Sequence, residues 1–329
     1  MELSEREKKI LFLICEEYLK NKEPIGSRYL WKKYKLPYSP STIRNIMSDL
    51  EDKNLVYQPY FSAGRVPTNE GLKLYLEHLL LDISSNDTLY FDEKKYLKED
   101  IFKEISKTLS ERTKLLSFSL DLSYKDAKID FIQLIPLSKK QYLCLIFLNN
   151  GQSIHKTFSL PYNLEKSTLL YIQSYLNKFL KNLSIKDAYL KLLKLKNEEN
   201  LLLETFREII KILASSCENF YFYGLHNLIE NINNLEEVKN IVKVLEEKEK
   251  ILSISKALLE SLKSNLSIIL GADVDKEIFS EFSFVVSKVK QRGNDIGLIG
   301  IIGPKFMEYK KAVRYVEKAS NIISSYFSE

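Results

Sequence analysis

Between Pro24 and Ser48 the chain sets five cations, Arg28, Lys32, Lys33, Lys35 and Arg44, and no acid, although acids are frequent on either side. Charge sorted in this way suits a surface that meets phosphate. A helix beginning near Pro40 turns by about 100° per residue, so Ser41, Asn45, Ser48 and Asp52 share one face, with Arg44 on its shoulder. Asparagine matches the adenine edge and arginine the guanine edge, and each good bidentate contact discriminates by roughly 1–3 kcal/mol. Helices that read DNA contact bases through their N-terminal half. The base-edge candidates are therefore Ser41, Thr42, Arg44, Asn45 and Ser48, while Asp49, Glu51 and Asp52 are expected to face away from phosphate or hold the fold. Arg28, Lys32, Lys33 and Lys35, with Ser62 and Arg65 further on, are the phosphate candidates.

These side chains need a frame, and the local signals supply one. A first helix is expected over Ser4–Lys20, capped by Ser4 with Glu7 in capping-box spacing, and turning Ile10, Leu13, Ile14 and Tyr18 inward. Ser27 is the expected cap of a second helix through Tyr29, Leu30 and Tyr34, which must stop at Leu36 because Pro37 disfavours helical geometry before it. Ser39 and Pro40 open the third, whose apolar stripe is Ile43, Ile46, Met47 and Leu50. A ribbon follows, Asn54–Tyr57 against Arg65–Pro67, with its tip at Phe61–Gly64, and places Arg65 where it would reach a minor groove or a phosphate. One amphipathic helix would equally suit a solvated face. The acid-free run, the paired helices and the Gly-Arg hairpin together favour a winged helix-turn-helix.

A fourth helix is expected over Asn69–Leu81, then a polar linker at Ser84–Asp87 and a long helix from Asp92 to Leu116. Period-two stretches within Ile129–Ser159, broken by SKK and NNG, predict an antiparallel meander. Helix then dominates: Leu169, Ile172, Leu176 and Phe179 form one stripe, and Leu201–Phe222 and Val238–Leu262 suggest further elements. Strands resume at Leu266–Leu270, Phe282–Val289 and Ile296–Ile302, and a last helix starts at Met307. Strands, a helical interruption and more strands suit a domain with an insertion, placed at about Leu160–Leu225.

The net charge of +5 is too small for a general polyanion coat, so the basic footprint must be local. No apolar run approaches the ~18 residues of a membrane span, and MELSEREKKI lacks a signal-peptide core, so a cytoplasmic, nucleoid-associated protein is expected. Cys15, Cys144 and Cys217 are scattered, apolar in context and odd in number, as buried thiols are. His78, His155 and His226 are isolated, which speaks against zinc. Gly293, Gly297, Gly300 and Gly303 match neither phosphate-loop spacing, and Gly293-Asn294 reads better as a hairpin turn. Asp273 and Asp275 lack a third metal ligand. No catalytic residue, metal or cofactor is assigned.

The segments PIGSRYL, SPSTIRNIMSDLE and SAGRVPTNEGLKLYL resemble the N-terminal domain of the HrcA heat-inducible transcription repressors, and Gly297–Tyr309, GLIGIIGPKFMEY, resembles that family's C-terminal signature. The resemblance spans nearly the whole chain in order, the middle third matching only in general pattern. It implies a homodimeric repressor of chaperone genes that binds double-stranded DNA at a long inverted repeat, the CIRCE element, and is modulated by a GroEL-type chaperonin. It also implies a GAF-like sensor domain with a dimerising insert. The expected architecture is α+β: a winged-helix DNA-binding domain over 1–80, a GAF-like domain over 88–159 and 226–329, and a mostly helical dimerisation insert over 160–225. Phe306 stands where the family's Gly-Pro-Thr-Arg-Met-Asp-Tyr pattern has arginine. Two other readings compete with this one: a winged-helix regulator whose GAF-like domain binds a metabolite, and an enzyme tethered to DNA.

Overall fold

A computed structural model describes residues 3–82, 101–124, 127–194, 201–216, 219–230 and 235–328. The expected linker at Ser84–Asp87, the first part of the expected helix from Asp92, and Cys217 lie outside the described residues.

The chain opens with α1 (Glu5–Asn21), α2 (Ser27–Tyr34) and α3 (Pro40–Asp52), followed by β1 (Val56–Tyr57), β2 (Val66–Pro67) and α4 (Asn69–Asp82). Ser4 caps α1 in a complete capping box with Glu7, and α1 ends at Lys22 in a left-handed conformation, φ 59°. The cap of α2 is Gly26 and not Ser27, which is the first helical residue and makes no side-chain cap bond. Lys35, φ 48°, terminates α2 ahead of Leu36-Pro37. Ser39 caps α3, accepting from the Thr42 amide at 3.1 Å, and Pro40 takes the first turn, where a missing N–H costs nothing. Ile43, Ile46, Met47 and Leu50 are buried as their spacing requires, each stabilising the packing by roughly 1.5–3 kcal/mol.

The ribbon is shorter than expected: Val56 pairs with Pro67 and Tyr57 with Val66. It is fastened elsewhere, because Arg65 and Ile25 exchange backbone hydrogen bonds of 2.8 and 2.9 Å. That approach requires glycine at position 64, where a Cβ would stand 2.3 Å from the Ile25 carbonyl carbon.

The next elements are α5 (Ile101–Thr113), β3 (Leu116–Asp121), β4 (Ile129–Ser138), β5 (Gln141–Leu148), β6 (Ser153–Ser159), α6 (Lys166–Leu180), α7 (Ile185–Leu193), α8 (Leu201–Ser216) and β7 (Asn219–Tyr223). The chain finishes with α9 (Leu225–Glu230), α10 (Leu235–Glu246), α11 (Lys248–Ser261), β8 (Leu266–Leu270), α12 (Gly271–Val274), β9 (Phe282–Gln291), β10 (Asn294–Pro304) and α13 (Tyr309–Ser328). Two expected helices were too long. The first ends at Thr113 and yields to β3, and the stretch expected as helix to Phe222 divides into α8 and β7.

An antiparallel sheet runs in the order β7-β3-β10-β9-β8. Alternation divides its side chains between two layers. Phe118, Phe284 and Leu298 pack with Ile241, Ile251 and Leu258 of α10 and α11. Val285, Ile299 and Ile301 pack instead with Ile105 of α5 and Val313 and Val316 of α13. Arg292 (φ 49°) and Gly293 (φ 87°) turn the β9-β10 hairpin, one residue earlier than expected.

The meander β4-β5-β6 forms a separate sheet. Its Ile132, Cys144 and Ile154 share a core with Ile172 of α6, Leu192 of α7 and Ile209 of α8. The Asn177 side chain ties α6 to β4, accepting from the Ile132 amide at 2.6 Å and donating to the Ile132 carbonyl at 2.8 Å. This grouping corrects the expected partition. Strands of 129–159 belong with the interrupting helices, while residues 219–223 return to the five-stranded sheet, where Asn219 pairs directly with Asp121.

The N-terminal helices meet the rest of the chain along a seam. Tyr18 lies edge-on to Phe306 with ring centroids 4.9 Å apart, and Lys73 of α4 pairs with Asp273 of α12 at 2.8 Å.

Candidate nucleic-acid interface

On α3, Ser41, Thr42, Arg44, Asn45 and Ser48 are all exposed opposite its buried stripe. One of them is partly committed, since the Thr42 hydroxyl lies 2.9 Å from that of Ser39 within the cap. Arg28, Lys32 and Lys35 are exposed around α2. Together they make a convex polar and cationic surface of the sort that phosphate contacts position and base contacts specify.

Two phosphate candidates are occupied elsewhere. The Lys33 ammonium donates to Glu17 at 2.6 Å, and Glu17 is wholly buried. Tyr34 donates to the same carboxylate at 2.6 Å, and the Tyr29 hydroxyl also bonds it. Burial works against the Glu17 charge, but the bonds from Lys33, Tyr29 and Tyr34 prevail and bring its pKa down to about 2. Lys33 is thus a tether between α2 and α1.

Arg65 departs further from expectation. Its guanidinium pairs with Glu51 at 2.7 Å, with 14% of the side chain exposed, and its backbone holds Ile25. Glu51 also accepts from the Gln58 amide at 2.9 Å, so this acid holds the root of the ribbon as the sequence suggested for the acids of α3. Ser62 is exposed at the tip in a left-handed conformation, φ 70°.

The ribbon also exposes aromatic residues that charge sorting and helical phase do not mark. Phe61 is 96% exposed, Tyr60 66% and Tyr57 46%. Two adjacent aromatics in a polar turn were the available signal, since water gives no reason to hold them there.

The other groups weighed as chemical sites have structural partners. Asp273 pairs with Lys73, and Asp275 accepts from the Glu277 and Ile278 amides at 3.0 and 3.1 Å. A Cβ at Gly297 would meet the Leu120 carbonyl oxygen at 2.3 Å, so that glycine serves strand packing. Cys15 and Cys144 are buried, and burial pushes the Cys144 thiol up to about 12. Among the described residues no helix is long and apolar enough to cross a membrane.

The family model described as "HrcA protein C terminal domain" matches residues 99–313. A protein of Carboxydothermus hydrogenoformans named heat-inducible transcription repressor HrcA is 29% identical, the match covering 99% of this chain and 98% of that one. A protein of the same name from Alkaliphilus metalliredigens is 30% identical, with 98% of each chain covered. A crystal structure described as a hypothetical protein superposes with a TM-score of 0.72 at 23% identity, covering 99% of both chains, and supports the fold alone.

Proposed function

The chain belongs to the HrcA family of heat-inducible transcription repressors, regulators rather than enzymes, and from that premise we propose that it represses chaperone genes by binding an inverted-repeat operator of the CIRCE type as a homodimer. In this reading α1–α3 and the ribbon are a winged helix-turn-helix, and α3 enters the major groove. The observation that carries it is the single exposed face of α3 bearing Ser41, Thr42, Arg44, Asn45 and Ser48, beside the exposed cations Arg28, Lys32 and Lys35. Phe61 and Tyr60 replace Arg65 as the ribbon's groove contact, acting as an apolar wedge.

The five-stranded sheet with its two helical layers is the GAF-like sensor domain of this proposal, and residues 124–216 are its dimerising insert. Two-fold pairing places the α3 helices about 34–36 Å apart, or a multiple of that, on half-sites separated by whole helical turns. A GroEL-type chaperonin restores the DNA-competent state of a marginally stable chain after heat.

Titration of a labelled operator duplex at increasing salt tests the reading. With eight to ten phosphates neutralised by the dimer, log K falls with log salt at a slope of about −7 to −9. A slope near −2 on the operator, or equal affinity for scrambled DNA, would overturn it.

A further inference from the structure

The seam between the N-terminal helices and the sheet domain encloses a groove of about 500 Å³. One wall is the end of α1 with α4, and the other is the Phe306–Arg314 segment that leads into α13. Its volume lies within the range of small-molecule sites, roughly 300–1,000 Å³. Leu19, Leu79, Phe306 and Met307 line it with apolar surface.

Its charge is unbalanced. Among the described residues, Lys20, Lys22, Lys310 and Lys311 line the groove against two acids, Glu16 and Glu308. Glu16 is already engaged by Lys20 at 2.9 Å. Lys22 donates to the Phe306 carbonyl and lies 5.4 Å from the centroid of the Phe306 ring, partners that bring no negative charge. Desolvation accordingly lowers its pKa to about 8, a penalty that an anion in the groove would relieve. Lys22 belongs to one side of the seam and Lys310 and Lys311 to the other, so cations face each other across it.

We propose that this groove binds a phosphorylated small molecule of the nucleotide class, its phosphates bridging Lys22 to Lys310 and Lys311, and its flat body against Phe306 and Leu79. Bound phosphate joins cations that otherwise repel, and so changes how the DNA-binding helices are held on the sheet domain. The binding claim stands on the groove alone; the effect on DNA rests on the function proposed above.

The test is calorimetric titration of the full chain with ADP, with inorganic pyrophosphate and with a short polyglutamate, all without DNA. ADP is expected to bind more tightly than pyrophosphate. The Lys310→Gln, Lys311→Gln double variant, altered only at exposed residues, is expected to weaken ADP by about tenfold or more with an unchanged melting temperature. Lys276→Gln, also exposed but outside the groove, should bind as the parent does. Absence of ADP binding at millimolar concentration, equal binding by the double variant, pyrophosphate as tight as ADP, or binding of polyglutamate alone would each overturn the site. Saturating ADP should then shift operator affinity by about threefold or more, in either direction. ADP binding without that shift sinks the coupling and leaves the site, whereas an operator that is never bound sinks only the DNA reading.

Discussion

Arg44 and Lys32 are both exposed cations, yet their surroundings predict different consequences for DNA binding. Arg44 sits on the first half of α3, where a guanidinium can lie along a guanine edge, so Arg44→Ala should cost roughly 1–3 kcal/mol on the operator and far less on scrambled DNA. Lys32→Ala should weaken both duplexes alike and reduce the salt slope by about 1. Equal, uniform losses in competition titrations would mean that α3 presents another face. Arg65 gives the contrary expectation because Glu51 already holds it at 2.7 Å. Arg65→Ala should destabilise the fold by about 1 kcal/mol or more in urea, through loss of a mostly buried charged pair, and leave the salt slope unchanged. Phe61→Ala should leave stability unaltered, since the ring is 96% exposed, but reduce operator bending seen by end-to-end energy transfer. Unchanged bending and affinity would remove the ribbon tip from the interface.

The α1-α2 pair is locked by a buried carboxylate, and this makes its stability dependent on pH. The Glu17 carboxyl titrates at about 2 in the fold against an ordinary 4.5. A depressed carboxyl stabilises fully above its unfolded pKa, and the contribution is lost as the pH falls from about 4.5 toward 2. At neutral pH it is worth on the order of 3 kcal/mol. Glu7, held by Lys53 and Ser4, is brought down to about 2 as well, so the acid transition will not vanish in a single variant. Glu17→Gln should lower urea stability by about 2 kcal/mol or more at pH 7, and the gap from the parent should narrow below about pH 4.5. A gap that stays constant with pH would show that Glu17 acts by packing alone. The stop at Pro37 after Leu36 and the cap at Ser39 before Pro40 were legible because they are local, whereas the expected Ser27 cap gave way to Gly26. Glu17 was not, since its burial depends on Tyr29, Lys33 and Tyr34 arriving from another helix.

Across the molecule, the separate core of residues 124–213 leaves and rejoins the main sheet at neighbouring strand ends, with Asp121 opposite Asn219. Replacing residues 124–216 by a short hairpin turn should therefore leave the five-stranded sheet intact. If this unit dimerises the chain, the shortened protein should sediment as a monomer and bind the operator with a salt slope near −4, about half that of the dimer. A shortened protein that remains dimeric would place the interface elsewhere. The sequence by itself determined the helices and ribbon of the first 82 residues, the three strands of the meander and the three strands of 266–304, because hydrophobic period and turn chemistry act within a few residues. It did not disclose β3, whose LSFSLD is buried throughout between β7 and β10, nor the return of 219–223 to the same sheet. Strand partnership is settled by backbone groups far apart in sequence that must satisfy each other's hydrogen bonds, and no local window contains both partners. The same holds for charge. Charge sorting along the chain marked Arg65 and Lys33, but only tertiary packing decided that Glu51 and Glu17 neutralise them, and that Lys22, Lys310 and Lys311, which nothing local marks, gather around one groove.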